Sequence, residues 1–151
     1  MPDSISLIKV VNLYITYCQS IYCSWYIIVS HTIAIVDDEP DTVQLFTDIL
    51  STNGYNVAGF TDPLSALEHI QENHEEYGLI LSDYRMPVMN GNELCTKLMR
   101  INSEFKVILM SAYENIEDDI SRFKFMRKPT TMTNLLQIVK NTIAEKTNTI
   151  I

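Results

Sequence analysis

The chain has 151 residues, 46% hydrophobic and 20% charged, with 19 acidic against 11 basic side chains and a formal net charge of −8. That length suits one domain with a core of its own, and the composition is that of a globular chain rather than a disordered or fibrous one. The negative balance falls after residue 30, where it opposes non-specific binding to nucleic acid, and the three cysteines, Cys18, Cys23 and Cys95, lack metal-ligand spacing and read as reduced thiols in an intracellular, cytoplasmic setting.

Residues 1 to 30 differ in kind from the rest. No side chain from Val10 to Ser30 is charged, and Tyr22-Cys23-Ser24-Trp25-Tyr26-Ile27-Ile28-Val29 is apolar and aromatic. At about 1.5 Å per helical residue the segment is long enough to span a bilayer. Asn12, Thr16, Gln19, Ser20 and Ser24 interrupt it, and the dense basic start and small-residue cleavage site of a signal peptide are missing. Three readings fit. The segment is a membrane anchor, in which case membrane association runs through these residues alone, or a partner-binding extra helix or strand, or an extension ahead of a true start near Val29.

After residue 30 strands and helices alternate. Thr32 to Val36 reads as a buried strand, and Pro40 to Asn53 as a helix with Val43, Leu45, Phe46, Ile49 and Leu50 on its apolar stripe, ended by Asn53-Gly54. Tyr55 to Phe60 is a second strand. Thr61 or Asp62 then caps a helix with Pro63 in its first turn and Leu64, Leu67 and Ile70 inward. Gly78 to Ser82 is the third strand, followed from Asn90-Gly91 by a helix with Leu94, Leu98 and Ile101 on one face. Lys106 to Met110 is the fourth strand, Asn115 to Ile120 a short weak helix, Arg122 to Met126 the fifth strand, and Thr130 to Glu145 a last helix carrying Leu135, Leu136, Ile138, Val139 and Ile143. Five such units predict an α/β fold with a doubly wound parallel sheet.

Two of the apolar runs stop at carboxylates. Ile33-Ala34-Ile35-Val36 ends in Asp37-Asp38, and Leu79-Ile80-Leu81-Ser82 ends in Asp83. Open α/β sheets place their sites at the carboxyl ends of neighbouring strands, so an acidic pocket suited to phosphate and metal is expected there. Taken singly, these residues have plainer readings. Asp37 or Asp38 alone is a helix N-cap, Lys128 a solvated charge, Ser111 a turn residue and Phe125 core; His69 and His74 are exposed helix residues rather than phosphoacceptors.

Taken in order, four segments resemble the marks of a response-regulator receiver domain of two-component signalling. They are Asp37-Asp38-Glu39-Pro40 after the first strand, Ser82-Asp83-Tyr84-Arg85-Met86-Pro87-Val88-Met89-Asn90-Gly91 after the third, Met110-Ser111-Ala112 after the fourth and Lys128-Pro129 after the fifth. The resemblance covers residues 31 to 146 and implies a flavodoxin-like strand order 2-1-3-4-5, with a cis Lys128-Pro129 bond. It further implies Mg²⁺ ligated directly by Asp83 and one of Asp37 and Asp38, the other acid acting through water, with the backbone carbonyl of Arg85 as a further ligand. Asp83 would be the phosphoacceptor and Lys128 and Ser111 would contact the phosphoryl oxygens. Phe125, the aromatic three residues before the lysine, would move inward with Ser111 as a switch. The implied partners are a histidine kinase or phosphotransfer protein on one side and an unknown protein target on the other, with no nucleic acid.

Some features depart from that pattern. The stretch from Ala112 to Arg127 is shorter than receivers carry by about one helical turn of 3.6 residues, which predicts a shortened fourth helix. Arg85 and Tyr113 occupy places that regulate water access to the phosphoryl group, and slow autodephosphorylation is expected. The tail 147–151 is too short to fold, which suggests a single-domain receiver. Two alternatives stand beside this reading. One is a pseudo-receiver that binds partners without phosphate. The other is a haloacid-dehalogenase-like phosphatase, which needs an acid where Arg85 stands.

Overall fold

The computed structural model describes residues 31–112 and 121–145. The expectations for 1–30, for Tyr113 and the helix at 115–120, and for the tail lie outside these residues. Strand β1 (Thr32–Val36) leads into helix α1 (Pro40–Thr52), β2 (Val57–Phe60) into α2 (Pro63–Glu72), and β3 (Tyr77–Asp83) into α3 (Gly91–Ile101). β4 (Lys106–Ser111), β5 (Lys124–Arg127) and α4 (Met132–Ala144) complete the described elements. All strand pairs are parallel, in the order β2-β1-β3-β4-β5, as the resemblance implied.

The helix ends follow from local chemistry. Asp62 accepts from the Ser65 N–H and hydroxyl, both at 2.7 Å, Asn90 from the Glu93 N–H at 2.8 Å and Thr131 from the Asn134 N–H at 3.1 Å. Each therefore satisfies a backbone donor at an N-terminus. α1 is different, since its N-cap is Glu39 without a side-chain cap. The capping role read for Asp37 or Asp38 taken alone is thus not filled; Asp37 Oδ1 accepts the Glu39 N–H at 3.0 Å from outside the helix. The C-terminus of α1 closes as the sequence implied. Gly54 has φ +89, its N–H donates to Ser51 O and the Tyr55 N–H reaches Leu50 O, so the chain turns through a left-handed residue and β2 starts only at Val57.

Two apolar clusters lie on opposite faces of the sheet. Ile33, Ile35, Leu79, Leu81, Ile108 and Met110 pack with Val43, Phe46 and Leu50 of α1 and Leu135 and Val139 of α4. Ala34, Val36, Ile80 and Leu109 pack with Ala66 and Ile70 of α2 and Leu94 and Leu98 of α3. Both faces being covered, the central strands are apolar at successive positions instead of alternating. Because α1 and α3 go to opposite faces, the loops after β1 and β3 diverge and open a crevice between them.

Four residues expected inside lie outside. Leu64 is 47% and Leu45 55% exposed, because the buried stripes run through Pro63, Ala66 and Ile70 on α2 and Val43, Phe46 and Leu50 on α1. At 100° per residue, Leu64 and Leu45 fall off those stripes. Ile101 is half-exposed at the end of α3. Phe125, read as core on a central strand, is 38% exposed, since β5 is an edge strand and only Met126 of its four residues is buried. His69 is exposed as expected, with its ring against Phe60 and Tyr77, while His74 is half-buried in the turn after α2. Among the described residues no helix is long and apolar enough to cross a membrane.

Candidate functional site

The crevice at the carboxyl ends of the strands is a cleft of about 550 Å³, and Asp37, Asp38, Asp83, Arg85, Ser111 and Lys128 all line it. Parallel register brings them together: Val36 pairs with Ser82, Asp83 with Met110 and Ser111 with Arg127, so each functional residue ends or follows its strand at one level. Asp37 is fully buried, Asp83 and Ser111 are buried, and Asp38 is exposed.

Hydrogen bonds fix the two buried carboxylates. Asp37 Oδ1 accepts the Glu39 N–H, and its Oδ2 accepts from Lys128 Nζ at 2.5 Å. Asp83 Oδ2 accepts the Arg85 N–H at 3.0 Å, and its Oδ1 lies 2.8 Å from the same ammonium. Lys128 therefore bridges both acids from the loop after β5. Its backbone N–H donates to Ser111 O at 2.8 Å, and the bond to Pro129 that follows is cis. Burial pushes the Asp83 carboxyl above the usual carboxylate range, against the lowering effect of Lys128. For Lys128 burial alone works downward, but the hydrogen bonds to Asp37 and Asp83 outweigh it and hold the ammonium charged above the ordinary lysine value.

One oxygen each from Asp37, Asp38 and Asp83 lie within 4.8 Å of one another. Three carboxylate oxygens at that spacing form a hard-oxygen donor set for a divalent cation. A single ammonium leaves the cluster net negative. Among the described residues no buried side-chain polar atom lacks a hydrogen-bond partner.

Close packing holds Asp83 in place. A Cβ on Gly91 would meet Asp83 O at 2.1 Å, so only glycine lets the start of α3 lie against the strand end. The Ser82 hydroxyl donates to that same carbonyl at 3.0 Å, and the Gly91 N–H donates to Tyr84 O. Sequence reasoning quoted Ser82 and Gly91 as motif without seeing these contacts. It also missed Glu39, Thr42, Leu45, Pro129 and Thr130 as cleft-lining residues; for Leu45, an apolar side chain off the buried stripe was the available signal.

Residues 33–140 match the family described as the response regulator receiver domain. The chain belongs to that family. Among curated proteins, this receiver is 27% identical over 124 residues to the phosphoglycerate transport system transcriptional regulatory protein PgtA of Salmonella typhimurium, covering 79% of this chain and 29% of that protein. It is 28% identical over 119 residues to the putative two-component response regulator ARR21 of Arabidopsis thaliana, covering 77% of this chain and 19% of the other. The chain thus spans less than a third of the length of these two relatives. Among solved structures, it superposes on the receiver domain of the hybrid histidine kinase CckA with a TM-score of 0.65 at 29% identity, covering 74% of this chain and 98% of the other. A CheY-like receiver from Methanospirillum hungatei gives a TM-score of 0.69 at 26% identity, covering 75% and 93%. Receivers are signalling domains rather than enzymes in the ordinary sense, and they work between a histidine kinase or phosphotransfer protein and a downstream target.

Proposed function

We propose that this receiver takes a phosphoryl group onto Asp83 from the phosphohistidine of a histidine kinase or phosphotransfer protein, and that the change alters its binding to a protein target. The observation that carries the reading is the placement of Asp83 Oδ1 2.8 Å from Lys128 Nζ within a cluster of three carboxylates. A carboxylate beside a fixed ammonium and a hard-cation donor set is what in-line phosphoryl transfer needs.

Asp37, Asp38, Asp83 and the Arg85 carbonyl would hold Mg²⁺, which when bound supplies charge neutralisation to the phosphoryl oxygens. An Asp83 oxygen attacks phosphorus as the bond to the donor imidazole nitrogen breaks, and the electron pair leaves with the ring. Lys128 stabilises the charge on the equatorial oxygens from its place beside Asp83. Ser111 donates its hydroxyl to a phosphoryl oxygen, and Phe125, lacking a hydroxyl, reports the change by packing alone. Arg85, which lines the cleft, restricts water there, and the resemblance gives Tyr113 the same role, so that the acyl phosphate is long-lived. The reading divides the chain into an extension at 1–30, the receiver at 31–146 and a tail at 147–151, and puts the receiver in the cytoplasm.

Thermal melting with Mg²⁺ and beryllofluoride, a phosphoryl mimic, tests the site. The wild type is expected to melt several degrees higher with both present, by about 2.7 kcal/mol of stabilisation at a hundred times the dissociation constant, and Asp83→Asn is expected not to respond. An unresponsive wild type would contradict the reading.

A further inference from the structure

Charge is divided along this chain. Eleven acidic residues and no Lys or Arg lie between 31 and 84, whereas ten Lys or Arg and seven Asp or Glu follow from residue 85. In the order β2-β1-β3-β4-β5 the purely acidic stretch supplies β1, β2 and β3, and the stretch that carries the basic side chains supplies β4 and β5 at the other edge.

On that basic side is a second cavity, of about 300 Å³, at the N-terminal ends of β4 and β5 and so at the far end of the strands from Asp83. It shares no lining residue with the phosphoryl cleft. Met99, Phe105 and Phe123 give it an apolar wall, and Lys106, Arg122 and Lys124 surround that wall with cationic groups.

What these cations already hold indicates what the cavity recognises. The Glu145 carboxylate is paired with Lys124, and the carbonyls of Ile143 and Glu145 accept from Lys106 Nζ, the former at 2.7 Å. Arg122 lies 4.6 Å over the Phe123 ring and donates to Thr96 Oγ1. The pair Lys124–Glu145 has side-chain exposures of 34% and 58%, and ion pairs that open to water are weak and exchange readily.

We propose that this cavity docks an acidic peptide segment of a partner protein. A carboxylate of the partner replaces that of Glu145 on Lys124, and a neighbouring apolar side chain enters against Met99, Phe105 and Phe123. The acidic half of the receiver repels such a segment and the basic half attracts it, so the charge division orients the partner before contact. A volume near the lower end of the usual ligand-pocket range accommodates one or two side chains. A nucleic acid is disfavoured by the net charge of −8.

Fluorescence anisotropy of the full chain with a labelled Asp-Glu-Phe-Glu-Leu peptide tests the proposal. Saturable binding is expected, weakened at least tenfold by Lys124→Glu but no more than about twofold by Lys140→Glu, the same charge change on the exposed face of α4. Glu145→Gln is expected to tighten binding about two- to fivefold, the range that displacing an exposed ion pair supports, while Glu68→Gln on α2 leaves it unchanged. Circular dichroism of each variant confirms folding. Absence of saturable binding, equal weakening by the two lysine variants, or equal effects of the two glutamate variants would overturn the proposal. Binding of anionic lipid vesicles more tightly than peptide would also overturn it.

Discussion

At the scale of single residues the defining contact is that of Lys128 with Asp37 and Asp83. Ninety-one positions separate Lys128 from Asp37, and no local pattern links them. The sequence showed the two acids because each stands at the end of an apolar run, and Lys128 through the receiver resemblance, but not that both buried carboxylates would have every oxygen engaged by a protein donor. Asp83 bears the cost of burial. Its pKa is raised, so the stability tied to its proton is fully present below the unfolded carboxylate value and is lost as pH rises through the folded one. Asp83→Asn, neutral throughout, is therefore expected to melt above the wild type at pH 7 without metal, and the gap is expected to close as the pH is lowered through the folded-state pKa. Differential scanning calorimetry across that range checks this; a variant that melts lower at neutral pH would contradict it. Arg85 carries a second prediction, a slow loss of the phosphoryl group. Decay of label after loading with acetyl phosphate is expected to take many minutes, and a half-life of seconds would count against the role given to Arg85.

At the scale of elements, helix and strand identity was legible because the period of the apolar residues was clear, and the helix limits were marked by Asp62, Asn90 and Gly54. Facing was less legible. An apolar stripe read from sequence is broader than the buried one, which is why Leu64 and Leu45 were placed inward. Ile70→Ala is expected to cost about 2–5 kcal/mol, whereas Leu64→Gln stays within about 0.5 kcal/mol, as denaturant titration will show. The β3–α3 loop adds a feature that no pattern announced. Val88 has φ +72 and is 81% exposed, and the Met89 N–H donates across it to Pro87 O at 2.8 Å, forming a γ-turn around a β-branched residue. Met86 and Met89, buried on either side, hold the turn in place. Val88→Gly is expected to stabilise the fold by about 1 kcal/mol through relief of that backbone strain, net of the added freedom of the unfolded chain. A lower denaturation midpoint would contradict this.

At the scale of the molecule, parallel order and register gather residues from four separate strand ends into one cleft. This gathering made both the fold and the site legible: with the sequence divided into five units, the order 2-1-3-4-5 that the receiver resemblance implies places Asp37, Asp38 and Asp83 side by side. The same order puts β5 at an edge, so the exposure of Phe125 follows from the topology and not from its apolar side chain, which taken singly reads as core. The central claim is that Asp83 is the acceptor and that a divalent cation at the acidic cluster is required. Intact-protein mass spectrometry after incubation with acetyl phosphate tests it most directly. One added phosphoryl group is expected on the wild type with Mg²⁺, and none with chelator or in Asp83→Asn; an unmodified wild type, or a modified Asp83→Asn, would contradict the account.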